Sequence, residues 1–143
     1  MPPISNLTTL LQSMQPVLND GVYVFSTVPP NTDLRTLDPI GTFREAEGLT
    51  VVLAEEQAQQ AGLPVLFRAA WITLTVHSDL QAVGLTAAFA TALGNANISC
   101  NVIAAAFHDH VFVPVELGQA AMAVLWALQR QALSEADITR QTR

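Results

Sequence analysis

Residues 77–114, HSDLQAVGLTAAFATALGNANISCNVIAAAFHDHVFVP, contain the clearest succession of elements in the chain. An apolar strand over 65–76 runs out into His77, Ser78 and Asp79, and Gly84 then opens a helix over 85–96. Leu85, Ala88, Phe89, Ala92 and Leu93 share one face of that helix, so the face is expected to lie against a sheet. Strands over 100–107 and 111–115 follow, joined at His108, Asp109 and His110. A last helix over 117–133 turns Ala120, Ala121, Val124, Leu125 and Leu128 inward, and the tail from Ser134 is expected to fray. The order from residue 65 is therefore β-α-β-β-α, one strand short of a ferredoxin-like unit. The strand, glycine and helix also leave backbone N–H groups open beside Asp79. That geometry can hold a group bearing both a carboxylate and an ammonium.

Before residue 65 the pattern is less regular. Ser5 is placed to cap a helix in which Leu7, Leu10, Leu11 and Met14 recur at helical spacing. Pro16 and the Asn19-Asp20-Gly21 turn stop it, and 22–28 reads as a strand rich in β-branched and aromatic residues. Residues 29–41 form a loop. Strands over 43–47 and 49–53 flank Gly48 as a hairpin, and a short helix over 55–61 ends at Gly62 with Pro64 beyond. The expected class is α+β, with two units at residues 1–64 and 65–143. No crossover helix is evident between residues 28 and 43, so the N-terminal helix is expected to take that place. The 65–76 strand is expected to belong partly to each unit.

Composition narrows the function. Half of the 143 residues are hydrophobic, 13% are charged and the formal net charge is -6, which excludes disorder. The six basic residues are too few for a stripe that could neutralise a phosphate backbone, so no nucleic-acid partner is expected. Cys100 is the single cysteine and has no internal partner, and the N-terminus lacks a secretory pattern; a cytoplasmic protein is expected. The most apolar run, 63–76, is interrupted by Pro64 and Arg68 and is too short for a membrane-spanning helix.

The steps Val83-Gly84-Leu85, Phe89-Ala-Thr-Ala-Leu93 and Asn97-Ile98-Ser99 resemble the ACT domain, a small amino-acid-binding module. Over its full length the chain resembles short bacterial proteins built only of two ACT-like units. The resemblance implies two tandem ferredoxin-like units of βαββαβ type and a non-enzymatic regulatory or sensor role without a cofactor. It implies an amino acid or similar small molecule as partner, and a homodimer. It places the ligand at His77, Ser78 and Asp79, at Val83, Gly84 and Leu85, and at Asn97, Ile98, Ser99 and Asn101. The N–H groups of Gly84 and Leu85 would take a carboxylate and Asp79 an ammonium. Val83 departs from the proline common at its position in that family, and the loop over 77–84 is longer by a residue or two.

Other readings compete with this one. Ser78 or Asp79 could cap the helix and Gly84 relieve a turn, with no ligand involved. His108 and His110 lie two apart and could hold a metal with His77 or Asp109, as in a metal-dependent hydrolase, although no carboxylate or cysteine cluster completes a shell. Cys100 has no basic neighbour in sequence and reads as a small buried hydrophobe. Trp71 is expected in the core, and Trp126 falls off the inward face of the last helix. A protein-interaction module without a ligand is the remaining alternative.

Overall fold

In the computed structural model the described residues are 7–75 and 84–141, with 135–141 described as backbone only. They group into two compact units, residues 20–70 and residues 1–19 with 71–143.

In the unit of residues 20–70, β2 (Tyr23–Val28), β3 (Gly41–Arg44), β4 (Leu49–Ala54) and helix α2 (Glu55–Gln60) lead into the first half of β5 (Phe67–Leu74). The strand order is β3-β4-β2-β5. β2 pairs antiparallel with β4, from Tyr23 opposite Ala54 to Val28 opposite Leu49, and with β5, from Tyr23 opposite Ala69 to Phe25 opposite Phe67. This is the ferredoxin order with β2, β3, β4 and β5 as first to fourth strands. The β3–β4 turn closes through the Glu45 N–H donating to the Gly48 carbonyl at 2.9 Å. A Cβ at Gly48 would stand 3.1 Å from the Val28 carbonyl oxygen, so only glycine fits the turn without a shift. Val24, Val28, Leu37, Val51, Leu53 and Ala58 form the core, with Leu34, Leu49 and Leu63 packed on it. Leu34 and Leu37 belong to the loop after β2. That loop, not a helix, therefore covers the position of the first crossover. Ser26 is fully buried in β2, and its hydroxyl donates to the Pro64 carbonyl.

In the other unit, α1 (Leu7–Ser13) and β1 (Pro16–Leu18) precede the second half of β5. Then come α3 (Leu85–Asn95), β6 (Asn101–Ala104), β7 (Asp109–Pro114), a 3-10 turn at Val115–Leu117 and α4 (Gly118–Gln141). The strand order is β1-β5-β7-β6. β1 supplies the strand that the β-α-β-β-α order lacked, pairing antiparallel with β5 from Pro16 opposite Leu74 to Leu18 opposite Ile72. The unit is thus a ferredoxin-like fold whose last strand comes from the start of the chain. Ile72, Leu74, Val111 and Val113 are fully buried, as are Leu10, Phe89, Leu93, Ala121 and Leu125 from the helices and Met14 just after α1. Burial of these apolar side chains is the main force holding helices to sheet.

Several expectations are corrected. The N-terminal helix does not fill the gap after β2: α1 packs on α3 and α4, and Gln129 Nε2 donates to the Gln12 carbonyl at 2.8 Å. Its apolar stripe is satisfied there, because Leu10 and Met14 have no exposed surface. The β6–β7 turn is not at His108-Asp109-His110; β7 begins at Asp109, and the connection runs through residues 105–108. Ala120 is exposed, and α4 continues to Gln141 beyond the expected end at Ser134. As expected, β5 serves both units: Phe67–Ala69 pairs in one and Ile72–Leu74 in the other. No described helix is long and apolar enough to cross a membrane.

Candidate ligand site

Helix α3 begins without a side-chain cap. Gly84 precedes it with φ +105°, a left-handed conformation in which a side chain would be strained. A Cβ on Gly84 would also come within 3.1 Å of Leu7 Cδ2, so α1 closes on this glycine. Leu85 turns its side chain into the core. The positive end of the α3 dipole lies at this start, where the N-cap residue makes no side-chain hydrogen bond. His77, Ser78, Asp79 and Val83 lie outside the described residues.

At its other end α3 stops in a Schellman arrangement. Asn97 has φ +61°, its N–H donates to the Gly94 carbonyl at 2.9 Å, and the Ile98 N–H donates to the Leu93 carbonyl at 2.9 Å. Asn is among the few residues other than Gly that tolerate the left-handed conformation, and the apolar residue after it packs back on the helix. Ile98 is buried, as that motif requires. The Asn-Ile step is thus explained by how the helix ends. An open cleft of about 350 Å³ lies here, lined by Gly94, Asn97, Ile98, Ser99, Pro114 and Leu117. Asn97 and Ser99 are exposed, as is Asn101, which opens β6 opposite Phe112.

The expected site residues consequently fall into two groups. Gly84 and Leu85 stand at one end of α3, and Asn97, Ile98 and Ser99 at the other, about 16 Å away for an 11-residue helix at 1.5 Å per residue. Within one unit the two groups cannot touch the same amino acid.

One acidic residue was read as part of a turn and is found in a strand. Asp109 opens β7 opposite Ala104 and is only 5% exposed. Alternation puts it on the face of Val111 and Val113, which carry no exposed surface. Burial holds its carboxyl above the usual range, and the neighbouring His110 and His108 act the other way. The signal was in the sequence: counting back by twos from Val113 and Val111 lands Asp109 on the buried face.

His110 lies on the opposite face of the sheet. Trp71 Nε1 donates to His110 Nδ1 at 3.0 Å, and Thr73 Oγ1 is 3.3 Å from the same nitrogen. Because the indole can only donate, Nδ1 is the acceptor and the proton of neutral His110 sits on Nε2. Asn19 Nδ2 donates to Thr73 Oγ1 at 3.0 Å and to the Trp71 carbonyl at 3.1 Å, and Trp71 stacks on Phe112 with centroids 6.2 Å apart. Trp71 is thus half-buried on the sheet face away from Leu74 and Val113. His108 Nδ1 is buried and has no hydrogen-bond partner among the described residues. Burial pushes the His110 pKa down, the charge on His108 pushes the same way, and Asp109 opposes both. A folded-state pKa below the unfolded one makes the fold bind protons less readily. His110's contribution is therefore present above about pH 6.5 and is lost as pH falls through its lowered folded value. Urea titrations from pH 7.5 down to 5 should show stability falling in the wild type. The slope should flatten in His110→Gln, and an unchanged slope would contradict this assignment.

Metal and thiol chemistry find less support here. Among the described residues no group of three or more His, Cys, Asp or Glu is placed to hold a metal ion. Cys100 is half-buried, and desolvation raises its pKa, which is the reverse of an activated thiolate. Trp126 is 36% exposed on α4.

The chain matches known proteins along most of its length. Residues 2–70 match one ACT-domain family model and residues 67–126 match another. A Vibrio cholerae protein of unknown function, described as a possible transport protein, is 54% identical. The match covers 86% of this chain and 95% of that one, with a TM-score of 0.78. The regulatory subunit of aspartate kinase from Thermus flavus is 10% identical, with 79% and 95% covered and a TM-score of 0.62. An Agrobacterium tumefaciens protein is 14% identical, with 81% and 89% covered and a TM-score of 0.63. The last two likenesses are of fold alone. No curated protein matches.

Proposed function

The chain belongs to the ACT-domain family, and on that premise we propose that it is a non-enzymatic regulatory or sensor protein that binds an amino acid. Its two ACT units suggest a regulatory, small-molecule-binding role, as does the likeness of its fold to a regulatory subunit of aspartate kinase. The observation that carries the reading is the start of α3. Gly84, the N-cap residue, has a left-handed φ and brings no side-chain acceptor of its own to the first N–H groups of an 11-residue helix. Those groups suit a carboxylate.

In this proposal His77, Ser78, Asp79 and Val83 complete the site beside Gly84 and Leu85, with Asp79 receiving the ammonium. Asn97, Ile98, Ser99 and Asn101 act from a second copy of the chain, because a single unit keeps them at the far end of α3. A homodimer is therefore part of the proposal. So is a tandem division near residue 64, save that α1 and β1 go with the unit that follows it. A cytoplasmic setting goes with a lone, unpaired cysteine.

Thermal unfolding with each of the twenty amino acids tests the reading. A ligand at 100 times its dissociation constant stabilises by about 2.7 kcal/mol, a shift that is easily read. At least one amino acid should produce it. If none shifts the transition at millimolar concentration, the chain is better read as an interaction module.

A further inference from the structure

We propose that His110 is a proton-operated latch: the neutral ring holds the Trp71 indole on the sheet face away from Leu74 and Val113, and the protonated ring lets it go. The hydrogen bonding is the first argument. Trp71 Nε1 donates to His110 Nδ1 at 3.0 Å, a bond that exists only while Nδ1 keeps its lone pair. Protonation turns Nδ1 into a donor, and an indole N–H cannot accept. The two N–H groups then face each other and this bond is lost. The bond also sets the imidazole at the edge of the indole, where the ring quadrupole is positive and repels a cation.

The second argument is that the protonated ring has another partner within reach. Thr73 Oγ1 lies 3.3 Å from Nδ1 and already accepts from Asn19 Nδ2 at 3.0 Å, which leaves its second lone pair for the new N–H. The cluster thus has two arrangements, Trp71 to His110 when the ring is neutral and His110 to Thr73 when it is charged. Asn19 steadies Thr73 in both. Its bond to the Trp71 carbonyl also holds the β5 backbone, so the part that moves is the Trp71 side chain.

The surroundings are the third argument. Asp109 and His108 flank the ring on its own strand and act on its charge in opposite directions. The other elements on this face add nothing: β1 with Asn19, residues 71–75 and β6 hold no titratable side chain. Arg68, the charged residue of β5, alternates onto the face of Ile72 and Leu74 and pairs with Glu55. Val17, opposite Thr73, and Ile103, opposite His110, are apolar and exposed. Protonation therefore gives a positive charge and a displaced indole to a face that is otherwise uncharged. Burial, the charge on His108 and the Trp71 bond to the neutral ring all place the change below about pH 6.5.

The test follows indole and imidazole together. In Trp126→Phe protein Trp71 is the only tryptophan, and its Nε1–H resonance and emission are read beside the His110 ring protons from pH 7.5 to 5. The Trp71 signals should change with the midpoint of the His110 ring. The change should vanish in His110→Gln, whose amide oxygen accepts but does not titrate. Trp71→Phe, which keeps the burial and removes the N–H, should let His110 bind its proton about three- to tenfold more tightly, the worth of one hydrogen bond. Burial alone would leave that affinity unchanged, so an unchanged affinity would overturn the proposal. A Trp71 signal that stays constant through the His110 titration, one that persists in His110→Gln, or a ring that stays neutral down to pH 5 would do the same. Should Trp71→Phe fold poorly, the Nε1–H titration in Trp126→Phe decides alone.

Discussion

Phe89→Ala is expected to remove about 3–5 kcal/mol of stability. Among the described residues Phe89 is the largest fully buried side chain, and it lies on α3 one turn from both Leu85 and Leu93, which are also buried. Truncation loses the transfer free energy of the ring and leaves a cavity that neighbours held on rigid strands cannot fill. For a chain of this size each kcal/mol corresponds to roughly 2–4 °C in the melting midpoint. The loss would take a large share of a typical stability of about 5–15 kcal/mol. Urea unfolding of the variant beside Ala87→Ser, at an exposed position of the same helix, would check it. A loss under about 1 kcal/mol would mean that α3 is not seated as described.

The second large effect is expected at Gly84. Gly84→Val forces a β-branched residue to φ +105°, where side chains are strained by about 1–3 kcal/mol. Its Cβ would also press Leu7 Cδ2 at 3.1 Å, so α1 must give way. Gly94→Ala is the control. Gly94 lies in α3 without a positive φ, and a Cβ added there would meet nothing within 4 Å, so alanine should be neutral or stabilise by up to about 1 kcal/mol. Opposite signs for two glycines bounding one helix are the expected result from equilibrium unfolding. Equal losses would contradict the left-handed entry into α3.

Much of the fold could be read before the structure, for particular reasons. Phe89, Leu93 and their neighbours repeat with helical period, and residues 65–76 do not, so β5, α3 and their order were legible. β1 was not, because three residues beginning with a proline carry no period, and its pairing with β5 spans more than fifty residues of chain. α1 was placed in the wrong unit because its stripe of Leu7, Leu10 and Met14 says that it is covered but not by what. The hairpin tip was displaced because His108, Asp109 and His110 look like turn residues, whereas the connection itself holds Ala105, Ala106 and Phe107. Phe107 is 75% exposed, a position that hydrophobicity alone would not assign to a turn.

The site divides along similar lines. Gly84 was singled out for turn chemistry, and its left-handed φ is the physical form of that reading. Asn97 and Ile98 stood out as a motif, and the helix-ending geometry supplies a structural reason for both. Asp109 passed as a loop residue because its polarity outweighed its alternation with Val111 and Val113.

The most direct measurement is a backbone amide NMR titration of the protein with the amino acid that most raises its thermal stability. The account predicts that the Gly84 and Leu85 amides shift most and that the interior amides of β3 and β4 stay still. Saturating shifts confined to other residues, or none at any amide from all twenty amino acids, would contradict it.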